Sequence, residues 1–303
     1  MDKEPRGEIA PFMAQALCQE QLRVIVQSSS PNLDASGVKP HMITDQDIVN
    51  AFRDFTFTDL DMTEEEKIYK NKQLPSGAPN EMDCPRYLTV FEKYKVIPEF
   101  CFACYKIQII PRNVIELLKL MMVFEDPSFP VTNTRKCMVE ERPFASGYYK
   151  GYIYCRGLEE AEQVQKVVKK IISDKISPRV AVNITHGCTE YAQAYPQFAK
   201  IKPASSAMKY RPEWKAAEEE FDKRFTITIH PDDPKDQTRF NNNTESLSLS
   251  RIQIHCLQYW LKYAATVGDK SYLEITGRPL LPLRSERIRN RPPFKNIIPV
   301  TKK

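Results

Sequence analysis

The apolar positions of this chain change period several times, and the clearest changes fall in its middle third. Cys101 to Ile110 is rich in apolar, aromatic and β-branched residues and stops at Pro111, which predicts a strand. Arg112 to Phe124 shifts to helical spacing through Val114, Leu117, Leu118 and Met121. Arg135 to Glu141 predicts a second strand, Arg142-Pro143 with Ser146-Gly147 a turn, and Tyr148 to Cys155 a third strand. From Leu158 to Ile172 the side chains of Leu158, Ala161, Val164, Val168 and Ile171 recur at helical intervals. Acids in the first turn of that segment suit the positive end of a helix dipole. Arg179 to Thr185 alternates Val180, Val182 and Ile184 and predicts a fourth strand.

The order β-α-β-β-α-β is that of the split βαβ unit. The fold class expected is therefore α+β: a ferredoxin-like βαββαβ split sandwich with mainly helical N- and C-terminal extensions. Before the core, helices are predicted over Ile9–Gln27, Asp45–Phe52 behind the cap Thr44, and Lys67–Asn71 behind the capping pair Thr63 and Glu66. Leu74 to Pro85 reads as a linker. After the core come a helix over Met208–Arg224, a short strand over Phe225–Ile229, a loop over His230–Ser246, and a helix over Ser250–Val267 that Gly268 ends. The chain thus divides into a helical region and linker at 1–85, a core at 86–200, a helical region at 201–276 and a tail at 277–303.

Composition narrows the class. Apolar content of 42% and charged content of 27% are those of a chain that buries a core. No window holds the roughly 18 consecutive apolar residues that a membrane span needs, and the N-terminal residues lack the apolar stretch of a signal peptide. A cytoplasmic protein with no membrane partner is expected. The formal charge of +5 is concentrated at the end of the chain, where 277–303 carries eight basic residues against the single acid Glu286. That segment suits an acidic protein partner or a nucleic-acid backbone.

In a reducing compartment eight cysteines are more often buried apolar groups, metal ligands or redox groups than disulfides. The sheet order of a split βαβ unit would bring Cys101, Cys104, Cys137, Cys155 and Cys188 to one edge, together with His186. Thiolates are soft donors, and Cys101-Phe102-Ala103-Cys104 has the spacing of a pair that shares one metal. Zn²⁺ or an iron–sulfur cluster would suit such a site. Alternation along a strand, however, would send Cys101 and Cys104 to opposite faces. The same residues could also be buried hydrophobes, a redox pair, or a nucleophile at Cys188 beside His186.

Alternation on the third predicted strand puts Tyr148, Lys150, Tyr152 and Tyr154 on one face. Phe102, Lys106 and Lys136 would join them from neighbouring strands. Aromatic rings interleaved with lysines can stack bases and neutralise phosphates. Lys150-Gly151-Tyr152, with Tyr154 two positions on, resembles the RNP1 signature of the RNA-recognition-motif family. Ile153, Cys155 and Gly157 depart from that pattern. The resemblance spans about ninety residues of the chain and implies a sheet that binds single-stranded nucleic acid, with Phe102, Tyr152 and Tyr154 as stacking residues.

Phosphate-loop, dinucleotide-binding, zincin and nucleophile-elbow motifs are absent from the sequence. The expectation is a binding protein with a cysteine cluster for Zn²⁺ or an iron–sulfur cluster and an aromatic face for single-stranded nucleic acid. The alternatives are an enzyme using Cys188, another edge cysteine or the Glu190 region on a small substrate, and a metal-free structural or regulatory interaction protein.

Overall fold

Strand β2 (Cys104–Ile110) is the spine of the sheet, because it is hydrogen-bonded on both sides. The computed structural model of the protein describes residues 42–52, 73–76, 82–143, 145–201, 207–224, 251–283 and 288. Five strands pair antiparallel in the order β1-β3-β4-β2-β5, with β1 at Gln73–Ser76, β3 at Arg135–Val139, β4 at Tyr149–Arg156 and β5 at Ala181–His186. Helix α4 (Val114–Glu125) joins β2 to β3, and α5 (Leu158–Lys175) joins β4 to β5. The result is a mixed α/β structure whose sheet is wholly antiparallel.

Both connecting helices lie on one face of the sheet. Ile107, Ile109, Cys137, Tyr149, Ile153 and Val182 point into that side and are buried in one cluster with α4 and α5. Every residue of α4 from Val114 to Phe124 is buried, because α1 (Asp45–Phe52) and α8 (Arg251–Val267) pack on it as well as the sheet. Fully burying a leucine contributes about 1.5–3 kcal/mol, and Leu117, Leu118 and Leu120 are all fully buried. Polar groups drawn into this side are satisfied. The Arg135 guanidinium donates to the Phe124 carbonyl in the last turn of α4, where a cation suits the helix dipole, and to the Val131 carbonyl beyond it. Lys175 pairs with Asp126 at 2.7 Å. Trp260 and Tyr263 of α8 are wholly buried here.

A second, smaller core gathers at the end of the sheet where β2 begins. It holds Tyr87, Val90 and Phe91 of α2 (Cys84–Tyr94), Cys101 of α3 (Glu99–Phe102) and Tyr191 of α6 (Thr189–Ala194). Phe198 of the 3-10 turn Pro196–Ala199 and Trp214 and Phe221 of α7 (Pro212–Arg224) complete it. Arg86 of α2 fastens α7 through Glu218 at 2.8 Å and Asp222 at 2.6 Å.

Several expectations are corrected here. The stretch from Leu74 to Pro85 is not simply a linker: Gln73–Ser76 adds strand β1 to the edge of β3, and Cys84 opens α2. The first core strand begins at Cys104 rather than Cys101. Pro98 starts a helical turn, closed by the Phe102 N–H on the Pro98 carbonyl at 2.9 Å, and the sheet ladder starts only beyond it. The fourth core strand is Ala181–His186. Helices α2, α3, α6 and α9 (Tyr272–Thr276) were not expected from the pattern. The predicted helices over 9–27 and 67–71, the strand over 225–229, the loop over 230–246 and most of the basic tail lie outside the described residues. Among the described residues, no helix is long and apolar enough to cross a membrane.

Candidate functional site

The face of the sheet opposite α4 and α5 carries the chemistry. Alternation delivers Cys104, Lys106 and Gln108 from β2, Lys136 and Met138 from β3, and Lys150, Tyr152 and Tyr154 from β4 to this side. Register places Lys106 opposite Tyr154, and Gln108 and Lys136 opposite Tyr152. The lysines converge: Lys106 Nζ lies 5.7 and 5.4 Å from the centroids of the Tyr152 and Tyr154 rings, and Lys136 Nζ lies 5.9 and 5.5 Å from the same two. Gln108 Nε2 donates to the Tyr152 hydroxyl at 3.3 Å.

This face is covered rather than open. Lys106 and Tyr154 are 9% and 8% exposed, Lys150 is 1% exposed, and Tyr152 is half-buried. The start of α2 places Cys84 within electrostatic range of Lys106, Lys136 and Tyr154. The residues between β5 and α6 bring Cys188, whose Sγ accepts a hydrogen bond from Lys106 Nζ at 3.1 Å. Beside them Arg142 ties the segment after β3 to α6, pairing with Glu140 at 2.8 Å and Glu190 at 2.9 Å. Arg142 holds the buried Glu140 carboxyl below its usual range against the opposing effect of burial.

Electrostatics divide the two lysines. Burial opposes the charge of Lys106, yet Cys188, Tyr154 and Cys104 together hold its ammonium well above the usual range. Burial, and then the Lys106 charge, push Lys136 down to about 8. One of the two amines thus keeps its proton beside a sulfur, while the other titrates near neutrality. Burial raises the neighbouring thiols, Cys104 to about 11, and raises Cys84 and the Tyr152 and Tyr154 phenols as well. A cavity of about 200 Å³ opens where β2 starts and β4 ends, lined in part by Met82, Phe100, Cys104, Asn133, Tyr154 and Cys155. Cys104 and Tyr154, both buried, belong to its wall at the border of the lysine and thiol cluster.

The predicted residues separate into three places. Cys104, Lys106, Lys136, Lys150, Tyr152, Tyr154 and Cys188 belong to the covered face. Cys137 is 1% exposed in the core beneath α4, level with Gly151 in the middle of the sheet rather than at its edge. Cys155 faces the helices beside Tyr105 but also lines the cavity. Cys101 and Phe102 sit on α3, off the sheet: the Cys101 thiol accepts from the Tyr191 hydroxyl at 3.2 Å, and Phe102 packs on Phe198 and Tyr210. Tyr148 precedes β4 and packs against the main core. Among the described residues, no group of three or more His, Cys, Asp or Glu side chains is placed to hold a metal ion.

His186 is occupied otherwise. Its ring stacks between Tyr105 and Phe198, at centroid distances of 4.3 and 4.0 Å, and each ring nitrogen lies 2.6 Å from a carbonyl oxygen, of Phe198 and of Phe102. A neutral ring can donate to only one of these carbonyls, whereas the charged ring could donate to both. Burial outweighs the carbonyls and lowers its pKa below the ordinary 6.5. The unfolded chain therefore binds this proton more readily, so the stabilising contribution is complete above about pH 6.5 and shrinks as pH falls through that value toward the folded pKa. Urea midpoints should decline from pH 7.5 to pH 5 and decline less in His186→Gln. Equal slopes in the two proteins would show that His186 is not the group responsible. The depressed carboxyls Asp126 and Glu140 lose their contribution only in the more acidic range, below about pH 4.

Cys84 was not anticipated as part of any site. Asp83 followed by Cys84-Pro85, with Tyr87, Val90, Phe91 and Tyr94 at helical spacing, is the signal that marks α2, and Asp83 does accept from the Arg86 N–H at 3.0 Å. No protein family, no curated protein and no solved structure matches the chain.

Proposed function

We propose that the covered sheet face is a thiol–amine site for a small anionic ligand, with Cys188 as its nucleophile. We infer too that β2 to β5 with α4 and α5 form a ferredoxin-like unit, a reading supported by the βαββαβ order and the β3-β4-β2-β5 arrangement. The observation that carries the site is the 3.1 Å hydrogen bond from the buried Lys106 ammonium to Cys188 Sγ. A fixed cation at that distance stabilises negative charge on sulfur, the reactive form of a cysteine. Lys136, with its pKa near 8, is placed on the same pair of rings to give or take a proton. Two acids beside this face, Glu140 and Glu190, are engaged by Arg142, which leaves the two lysines to draw an anion. The aromatic rings belong to the packing of this site: Tyr154 is buried, and stacking a base on it would require the α2 and Cys188 segments to move.

Alkylation kinetics test the proposal. Cys188 should react first among the described cysteines, and faster with iodoacetate relative to iodoacetamide than a free thiol does. A hydrogen bond to a charged group contributes about 1.5–3 kcal/mol, so Lys106→Met should slow the Cys188 reaction by roughly tenfold or more. The Lys136→Met protein should lose the preference for the anionic reagent. Uniform, slow labelling of all the cysteines would reject the site.

A further inference from the structure

Backbone on both sides fixes the contact between Cys188 and Lys106. Lys106 is held in the middle of the sheet, opposite Tyr154 on β4 and Thr185 on β5. The pairing of β5 with β2 runs to His186 opposite Tyr105, and the Gly187 N–H continues it onto the Cys104 carbonyl at 2.8 Å. Gly187 then takes a left-handed φ of +54°, and the next residue places its Sγ 3.1 Å from Lys106 Nζ. Lys106 is buried, with its ammonium over the Tyr152 and Tyr154 rings, whereas Cys188 is only half-buried. A small reagent from solvent therefore meets the sulfur before it meets the amine.

The two groups hold each other in their charged forms. Burial opposes the Lys106 ammonium, and Cys188 is the first of the groups that offset burial. A reaction that neutralises the sulfur leaves a buried cation without that counter-charge, with Lys136 as a second cation over the same two rings. A lysine so placed sheds its proton and becomes a nucleophile.

We propose that Cys188 and Lys106 form a reversible covalent S–N bridge, a sulfenamide, when a small hydroperoxide oxidises the sulfur. The inference rests on Cys188 being the nucleophile of the site. Cys188 Sγ, as the thiolate held by Lys106, attacks the terminal oxygen of the hydroperoxide. An S–O bond forms, the O–O bond breaks, and the departing hydroxide or alkoxide takes a proton from the Lys106 ammonium. Cys188 is then a neutral sulfenic acid, and Lys106 is a neutral amine beside it. The amine nitrogen attacks the sulfur, an S–N bond forms, the S–O bond breaks, and the hydroxyl leaves as water with a proton from the nitrogen. The sulfur is oxidised by two electrons, and the hydroperoxide is reduced to an alcohol or water plus a second water. An external dithiol reverses the bridge: its sulfur attacks Cys188 Sγ, the S–N bond breaks, and the amine takes the thiol proton. Exchange then frees Cys188 as the dithiol closes to its own disulfide.

The test uses the full chain, reduced and then treated with one equivalent of hydrogen peroxide before peptides are mapped without reductant. The expected result is the loss of one free thiol, a mass lower by two hydrogens, and a peptide joining Lys106 to Cys188 that trypsin no longer cuts after Lys106. Dithiothreitol should reverse all three, and the bridge should still form in Cys84→Ser and Cys104→Ser. Lys106→Arg keeps a cation at that position but one that stays protonated. There Cys188 should still take iodoacetate selectively, while peroxide should leave a sulfenic acid that dimedone captures. The mapping of the unsubstituted chain is decisive by itself, so a misfolded variant leaves the test intact. Loss of two thiols through a disulfide at Cys188, or a Cys188 product that retains the peroxide oxygen, overturns the bridge. Selective iodoacetate labelling of reduced Cys188 without any Lys106–Cys188 peptide after peroxide overturns the bridge alone and leaves the nucleophile in place; absence of selective labelling overturns both.

Discussion

Replacing Asp269 with alanine is expected to lower the free energy of unfolding by about 3–5 kcal/mol, from the cost of about 1–3 kcal/mol for each buried polar group left unsatisfied. Asp269 is 2% exposed and follows α8 directly. Its carboxylate accepts from the Val114 N–H at 2.8 Å, from the Tyr149 hydroxyl at 2.6 Å, and from the Ser271 N–H and hydroxyl at 3.0 and 2.8 Å. It thus caps the N-terminus of α4, where an anion suits the helix dipole, and joins the C-terminal segment to the start of β4. Burial, followed by Asp269 itself, keeps the Tyr149 phenol well above its usual range and so fixed as a donor. The alanine variant strands the Val114 N–H and the Tyr149 hydroxyl together. Asp269→Asn retains an acceptor oxygen and should recover part of the loss, while Tyr149→Phe, which removes one of four donors, should cost only about 1–2 kcal/mol. Urea unfolding measures all three. A loss below about 1 kcal/mol in Asp269→Ala would mean that water replaces the carboxylate and that the C-terminal segment is loosely held.

The second large effect is expected at Gly187, which lies between His186 and Cys188. Its φ of +54° is in the left-handed region, and an added Cβ would lie 2.3 and 2.5 Å from two carbons of the Phe198 ring. That ring is wholly buried and stacked on His186, so it has nowhere to go. Left-handed backbone costs about 1–2 kcal/mol for a residue with a side chain, and overpacking adds about 1–3 kcal/mol. Gly187→Ala should therefore destabilise by about 2–5 kcal/mol. Gly277→Ala is the control: its φ is +63°, but a Cβ there meets nothing within 4 Å, so the backbone cost stands alone. Moving the Phe198 ring also shifts the turn that seats Cys188 on Lys106. The selective alkylation of Cys188 should fade in Gly187→Ala under conditions where the variant is still folded. Equal losses at positions 187 and 277, with Cys188 labelling intact, would contradict the packing at this turn.

Sequence pattern was a good guide wherever the signal was local. Period-two alternation assigns Lys150, Tyr152 and Tyr154 to one face of β4 and Ile153 and Cys155 to the other, and the strand has that arrangement. The helical intervals of Val114 to Phe124 and of Leu158 to Ile172 mark α4 and α5 within a few residues. The signal failed at element starts. Cys101 looks like strand residues by composition, but Pro98 and the helical turn after it carry Cys101 and Phe102 off the sheet. Gln73–Ser76 includes a proline and shows little alternation, yet it pairs at a sheet edge, where proline is tolerated.

What the residues determine by themselves, then, is which side chains share a face, because that depends only on the period of the backbone. What covers a face is decided by contacts between segments far apart in the chain. The lysines and tyrosines were legible as a set, but not that Cys188 lies on Lys106 or that Cys84 falls within electrostatic range of both lysines, since those proximities join segments far apart in the chain. Cover also changes the chemistry. On an open sheet Lys106 and Lys136 would be two solvated cations beside stacking rings. Under the α2 and Cys188 segments one is held on a sulfur and the other is pushed down to about 8, because removing water makes each charge depend on its nearest partners.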